Sequence, residues 1–263
     1  YMNITSLDQM IHDTVAKYLK KQLIVAGNWK MNMTVQEGMN FLEKIGNTDA
    51  NVIIFPPYTT LALLAGEMRK RGIHYGPQNF HFLDKGAYTG EISIPMIREL
   101  GCGFLLAGHS ERRQYYNETD DILQKKVVKG VSSGFQVVLC IGENLEERKS
   151  GKWRNRLAEQ MILDLKDLGH HELDSVLIAY EPVWAIGTGV SASIEEIEET
   201  HCFLKAFMRK IFGRELPILY GGSVNENNAL KIGACSVVDG FLIGGASLDP
   251  DKFLKIIEIS KRV

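Results

Sequence analysis

The chain has 263 residues, room for one or two domains at about 150 residues each. Its 45% hydrophobic and 24% charged residues are those of a folded globular protein, which excludes disorder. Lys and Arg number 30 against 32 Asp and Glu, a net charge of -2, so there is no broad basic field to grip a nucleic-acid backbone or an anionic membrane, and an anionic ligand must be held locally.

The first 22 residues carry Asp8, Asp13, Lys17, Lys20 and Lys21 without the apolar stretch of a secretion leader, and they are too acidic for a transit peptide. Ser6-Leu7-Asp8-Gln9 fits a capping box, and Leu7, Met10, Ile11, Val15, Tyr18 and Leu19 share one helical face. Residues 1–22 are therefore expected to form an extra N-terminal helix, marginal by itself and docked away from any site at the strand ends. From Leu23 onward, short runs of Val, Ile, Leu, Phe and Tyr recur at 23–26, 51–55, 73–75, 103–106, 136–141, 176–180, 218–220 and 241–243. Their continuous apolarity is what a parallel sheet buried on both faces requires. Helical stretches, among them 60–71, 155–168, 194–211, 225–232 and 249–259, lie between them. Eight strands alternating with helices over about 250 residues is the arithmetic of an α/β chain closed into a single (β/α)8 barrel, here spanning 23–263.

Cys102, Cys140, Cys202 and Cys235 form no C-x-x-C pair, so neither a zinc site nor a disulfide framework is indicated, and a reducing, cytoplasmic setting is expected. No apolar run approaches the length of a membrane span.

In such a barrel the polar residues that follow each strand gather at one end. Here they are Asn28-Trp29-Lys30, Gly108-His109-Ser110-Glu111, Gly142-Glu143, Glu181-Pro182-Val183-Trp184, Gly221-Gly222-Ser223 and Gly244-Gly245. Glu181 sits beside the apolar segment 182–186, and a carboxylate that such a segment dries is a stronger base; a strand-end glutamate paired with a basic residue is the alternative. His109 precedes the first turn of a short helix, whose dipole favours a neutral ring able to donate a proton to a carbonyl oxygen, although a purely structural histidine fits as well. Lys30 offers a compact charge for a phosphate or a developing oxyanion, against the alternative of a surface lysine. Ser223, Gly244 and Gly245 follow the last two strands, where barrels bind phosphate through backbone N–H groups, though Gly244-Gly245 also reads as a plain tight turn. The segment 187–192 fits G-x-G-x-x-A but does not leave its strand at once, which argues against a dinucleotide fingerprint. His170-His171 lacks the further ligands a metal would need and reads as solvated.

Five segments together resemble the triosephosphate isomerase family: Asn28-Trp29-Lys30-Met31-Asn32, Gly108-His109-Ser110-Glu111-Arg112, the stretch from Tyr180 through Glu181-Pro182-Val183-Trp184 to Gly189, Tyr220-Gly221-Gly222-Ser223-Val224, and Gly240 to Gly245. They occur in the family's order over nearly the whole chain. The resemblance implies a TIM barrel that interconverts dihydroxyacetone phosphate and D-glyceraldehyde 3-phosphate through an enediolate, with no metal and no organic cofactor. It makes Glu181 the base, His109 the electrophile, Lys30 the neutralising charge, Asn28 an orienting group and Glu111 the support of Lys30. Gly187, Ser223, Gly244 and Gly245 would hold the phosphate, and 182–192 would be a mobile lid. The glutamate base beside a neutral histidine is the arrangement already established for these isomerases and is borrowed from them here. Residues 78–91 resemble the family's dimer-forming loop, with Thr89 approaching the partner's site, so a homodimer is implied; Pro77, the loop tip 80–84 and the residues before Leu23 depart from the family pattern. The other readings are a catalytically silent phosphate-binding barrel and a different sugar-phosphate isomerase.

Overall fold

The computed structural model describes residues 22–186 and 191–262. The expected helix over 1–22, Gln22 excepted, and the proposed phosphate donor Gly187 lie outside the described residues.

The strands are β1 (Ile24–Asn28), β2 (Val52–Phe55), β3 (His74–Tyr75), β4 (Phe104–Ala107), β5 (Gln136–Ile141), β6 (Val176–Tyr180), β7 (Ile218–Tyr220) and β8 (Gly240–Ile243). Each lies within two residues of an apolar run read from the sequence. They pair in parallel in the order β3-β2-β1-β8-β7-β6-β5-β4. The two ends of this sheet meet without a regular ladder: Gly103 N–H donates to Tyr75 O at 3.3 Å and Leu106 N–H to Pro77 O at 3.2 Å. Pro77, whose carbonyl faces β4, has no N–H to add to that seam. Gly76 permits the approach of β4, because a Cβ there would stand 1.9 Å from Phe104 O. The barrel so closed leaves no long strand edge exposed.

Alternation along the strands sorts the core into two shells. Ala26, Ile53, Phe55, Leu106, Val138, Cys140, Leu177, Ala179, Leu219 and Leu242 fill the barrel interior, while the opposite faces pack against the helices. Trp29, fully buried, meets Phe41 edge-on at 5.1 Å between ring centroids. The helices cover this outer shell. Ile194–Phe212 is capped by Ser193 with Glu196 reaching back, and stops at Gly213 with φ of 70°. The helix expected from Asn225 begins only at Ala229, because Asn225 Oδ1 accepts from the N–H groups of Asn227 and Asn228 and holds that stretch as a turn. No described helix is long and apolar enough to cross a membrane.

Candidate active site

The interior row of each strand, continued two residues at a time, leads into the mouth of the barrel. On β1 the row Ile24, Ala26 runs on to Asn28 and Lys30; on β6 Leu177 and Ala179 run on to Glu181; on β7 and β8 Leu219 and Leu242 are followed by Gly221 and Gly244. His109 is out of phase with its strand. Gly108, with φ of 73°, breaks the alternation after Leu106 and turns His109 inward.

These residues line one cavity of about 340 Å³, shared by Asn28, Lys30, His109, Glu181, Ser223, Gly244 and Gly245. Glu181 is 2% exposed. Its Oε2 accepts the Ser110 N–H at 2.9 Å, and its Oε1 lies 3.1 Å from His109 Nε2. The Glu111 N–H donates to His109 Nδ1 at 3.2 Å. A backbone N–H can only donate, so Nδ1 is bare and the ring's proton sits on Nε2, facing Glu181 and the cavity. This is the neutral tautomer, fixed by the turn that begins helix Ser110–Tyr115. The tight packing around the base needs two glycines: a Cβ at Gly142 would stand 1.8 Å from Glu181 O, and one at Gly221 2.8 Å from Glu181 Cγ.

Lys30 adopts φ of 53°, a left-handed backbone costing a non-glycine residue about 1–3 kcal/mol. Three contacts impose it. The Lys30 N–H donates to Asn28 Oδ1 at 3.0 Å, Gln78 Nε2 donates to Lys30 O at 2.8 Å, and the ammonium donates to Glu111 Oε1 at 2.6 Å. Asn28 and Glu111 thus both act on Lys30, and Gln78, which also donates to Phe55 O, is a positioning residue that the motifs did not single out.

Behind the rim lies a second layer whose Arg113 and Asp164 sequence reading missed and whose Glu143 it placed at the mouth of the barrel. Arg113 donates to Gly108 O, Cys140 O, Asp120 and the fully buried Asp164, and so holds the turn that aims His109. Burial pushes the Asp164 carboxyl up to about 7, against the pull of Arg113. Glu143, fully buried, accepts from Tyr180 Oη and Trp184 Nε1, each at 3.0 Å, and anchors the start of segment 182–186; burial raises its carboxyl too. Ser223 Oγ donates to Ala185 O at 2.9 Å, tying that segment to the β7 turn. Thr89 stands in an exposed run, 83–91, away from this chain's own cavity. His170 and His171 are exposed, as expected of solvated residues.

A family model described as triosephosphate isomerase matches residues 23–260. The chain is 42% identical over 248 residues to the triosephosphate isomerase of Chloroherpeton thalassium, a match covering 90% of this chain and 98% of that protein. It is 42% identical over 244 residues to that of Chlamydia trachomatis serovar L2, covering 89% and 88% respectively. A third relative, the triosephosphate isomerase of Aquifex aeolicus, is 40% identical over 242 residues, covering 89% and 98%.

Proposed function

The chain belongs to the triosephosphate isomerase family, and on that premise we propose that Glu181, His109, Lys30 and Asn28 carry the interconversion of dihydroxyacetone phosphate and D-glyceraldehyde 3-phosphate. The observation that carries this assignment is a buried carboxylate 3.1 Å from a neutral imidazole, in one cavity with a lysine and a Gly-Gly turn. A substrate carbonyl that takes the His109 Nε2–H releases Glu181 Oε1 from that contact. The freed carboxylate removes a proton from the carbon next to the carbonyl, giving the enediolate, and returns it to the neighbouring carbon. His109 moves the hydroxyl proton between the two oxygens, so the net change is one hydrogen shifted along the carbon chain and one along the oxygens. Lys30 offsets the negative charge that develops, and Asn28 keeps Lys30 in its left-handed pose. A coupled assay with dihydroxyacetone phosphate tests the reaction directly. With Glu181, His109 and Lys30 all in place, nothing favours a silent barrel.

The phosphate is assigned to the backbone N–H groups of Gly187, Ser223, Gly244 and Gly245, and 182–192 to a lid that keeps water from the intermediate. A phosphate-bearing enediolate mimic at 100 times its Kd should then stabilise the fold by about 2.7 kcal/mol, read as a rise in melting temperature. A phosphate-free analogue at the same concentration should give a much smaller rise. Equal shifts from the two would remove the Gly-Gly turn as the anchor.

A homodimer completes the reading. The run 83–91 is exposed with Leu83 at 38% and Tyr88 at 48%, and a cavity of about 230 Å³ lined by Lys30, His109, Glu111 and Tyr116 opens beside the site. Thr89 of the partner subunit would enter there and brace Lys30 and His109. Shortening the exposed segment 83–88 should give monomers in sedimentation, with turnover reduced at least about tenfold; fully active monomers would refute the role of the loop. Four free thiols, three of them buried, suit the cytoplasm as the setting.

A further inference from the structure

The cavity that holds Glu181 also reaches Glu226 and Lys252, on the side of Ser223, Gly244 and Gly245. Lys252 lies in the first turn of the helix Pro250–Ser260, which follows the Gly-Gly turn after β8. Its side chain is exposed, and among the described residues no carboxylate stands within ion-pair distance of its ammonium. The nearest acidic groups have closer partners: Asp249 Oδ1 accepts the N–H groups of Asp251 and Lys252 and feels the Lys252 ammonium only at longer range, and Asp251 pairs with Lys44 at 3.6 Å.

The charges of the lining make this lysine matter. Lys30 and Lys252 face Glu181 and Glu226, with His109 neutral, so the cavity has no net positive charge of its own. Lys30 is already held at 2.6 Å by Glu111. An incoming phosphate dianion therefore meets two carboxylates and a lysine whose field Glu111 partly offsets, and Lys252 is the cation without an ion-pair partner that is left to draw it in. Without Lys252 the lining would repel the ligand the cavity has to admit.

We propose that Lys252 is a substrate-capture residue, whose ammonium attracts the phosphate group of a triose phosphate toward Ser223, Gly244 and Gly245 and so sets the rate of productive encounter. This rests on the reading of the cavity as a triose-phosphate site. Such a role acts on kcat/KM more than on kcat, because the attraction is spent before the proton moves.

The test compares the parent enzyme with Lys252→Gln, Lys252→Arg and Lys252→Glu across ionic strength. At ~0.01 M salt, where the screening length is about 30 Å, Lys252→Gln should lower kcat/KM about 3- to 10-fold and Lys252→Glu about 10- to 100-fold; near 1 M, where it is about 3 Å, the variants should converge within about twofold. Lys252→Arg should stay within about twofold of the parent throughout, since charge and not shape is at issue. Calorimetry with the phosphate-bearing enediolate mimic should show the same ordering of Kd and a shallower salt dependence for Lys252→Gln, with a phosphate-free analogue unaffected. Parent-like behaviour of Lys252→Gln and Lys252→Glu at low salt overturns the proposal. So does a loss that high salt does not relieve or that extends to the phosphate-free analogue, the mark of a structural effect. If the parent failed to isomerise dihydroxyacetone phosphate yet bound the mimic in this Lys252-dependent way, the capture role would stand and the assigned reaction would be what fails.

Discussion

Glu181→Gln should lower kcat by about 100-fold or more, the usual consequence of removing a general base, while leaving the fold and the phosphate subsite intact. The substitution keeps the length and planarity of the side chain. The amide oxygen can still accept the Ser110 N–H, now at 2.9 Å from Oε2, so the side chain has a reason to stay where it is. What it loses is the ability to hold a proton between two carbons. Binding of the phosphate-bearing mimic should change only a few-fold, because the proposed phosphate site is on the turns after β7 and β8 and not at Glu181. The melting temperature should change little, since a buried charge is exchanged for a neutral group of equal size, a gain that offsets the amide NH2 now facing the His109 Nε2–H. Turnover within about tenfold of the parent would sink the assignment of Glu181 as base. Loss of mimic binding in parallel with turnover would mean instead that Glu181 shapes the pocket.

That Glu181 and Asn28 could be found in the sequence at all follows from period two. A strand buried on both faces hides its alternation, yet the first polar residue after it inherits the direction of the row, and in a parallel barrel all such residues point to one end. His109 is legible for a different reason. It is out of phase by strand periodicity, and it was the glycine before it and the helix start after it that marked it; the φ of 73° at Gly108 supplies the missing turn. Gln78 carried no comparable signal. Its importance lies in the backbone oxygens it reaches, Lys30 O and Phe55 O, and a lone loop glutamine gives no hint of which carbonyls the fold will bring to it.

The helices divide in the same way. Val35–Ile45 is not among the helical stretches named from the sequence, although its start carries a signal, Thr34 with Glu37 three residues on, and the structure shows both halves of that capping box. Asp120–Ser132 did not announce itself, because two positions of its inward face, Leu123, Lys126, Val127, Gly130 and Val131, are not apolar. Lys126 is 3% exposed and donates to Glu118 Oε1, just before the helix, and to Asn79 Oδ1, far from it in sequence, so its charge is met by partners outside the helix itself. Gly130 is there because a Cβ would press to 2.8 Å from Val137 Cγ2. Periodicity counts hydrophobic residues, and neither a satisfied buried lysine nor a glycine chosen for contact is one.

Lys30→Met should cost more in kcat/KM than Glu181→Gln costs in binding, on the order of 1,000-fold, as removal of a preorganised charge at a developing oxyanion does. Methionine matches the stem of lysine in length and bulk, so the strained backbone at φ of 53°, imposed by Asn28 and Gln78, has no new reason to relax. The charge is gone from both the ground state and the enediolate. KM should therefore rise along with the fall in kcat, in contrast to Glu181→Gln, where KM should hardly move. Glu111 gives a graded control. It contacts the ammonium at 2.6 Å but lines the neighbouring cavity rather than the one assigned to the substrate. Glu111→Gln should leave the charge present but less well fixed, for a loss of about tenfold, well short of the loss for Lys30→Met. Lys30→Arg should recover only part of the activity, since the planar guanidinium presents its charge over a wider fork and favours a bidentate hold on Glu111 over a point contact with an oxyanion. Steady-state kinetics on the three variants, with mimic affinity measured alongside, decides the matter: if Lys30→Met kept its affinity for the mimic and turned over within about tenfold of the parent, Lys30 would be a structural partner of Glu111 and the enediolate would have to find its positive charge elsewhere.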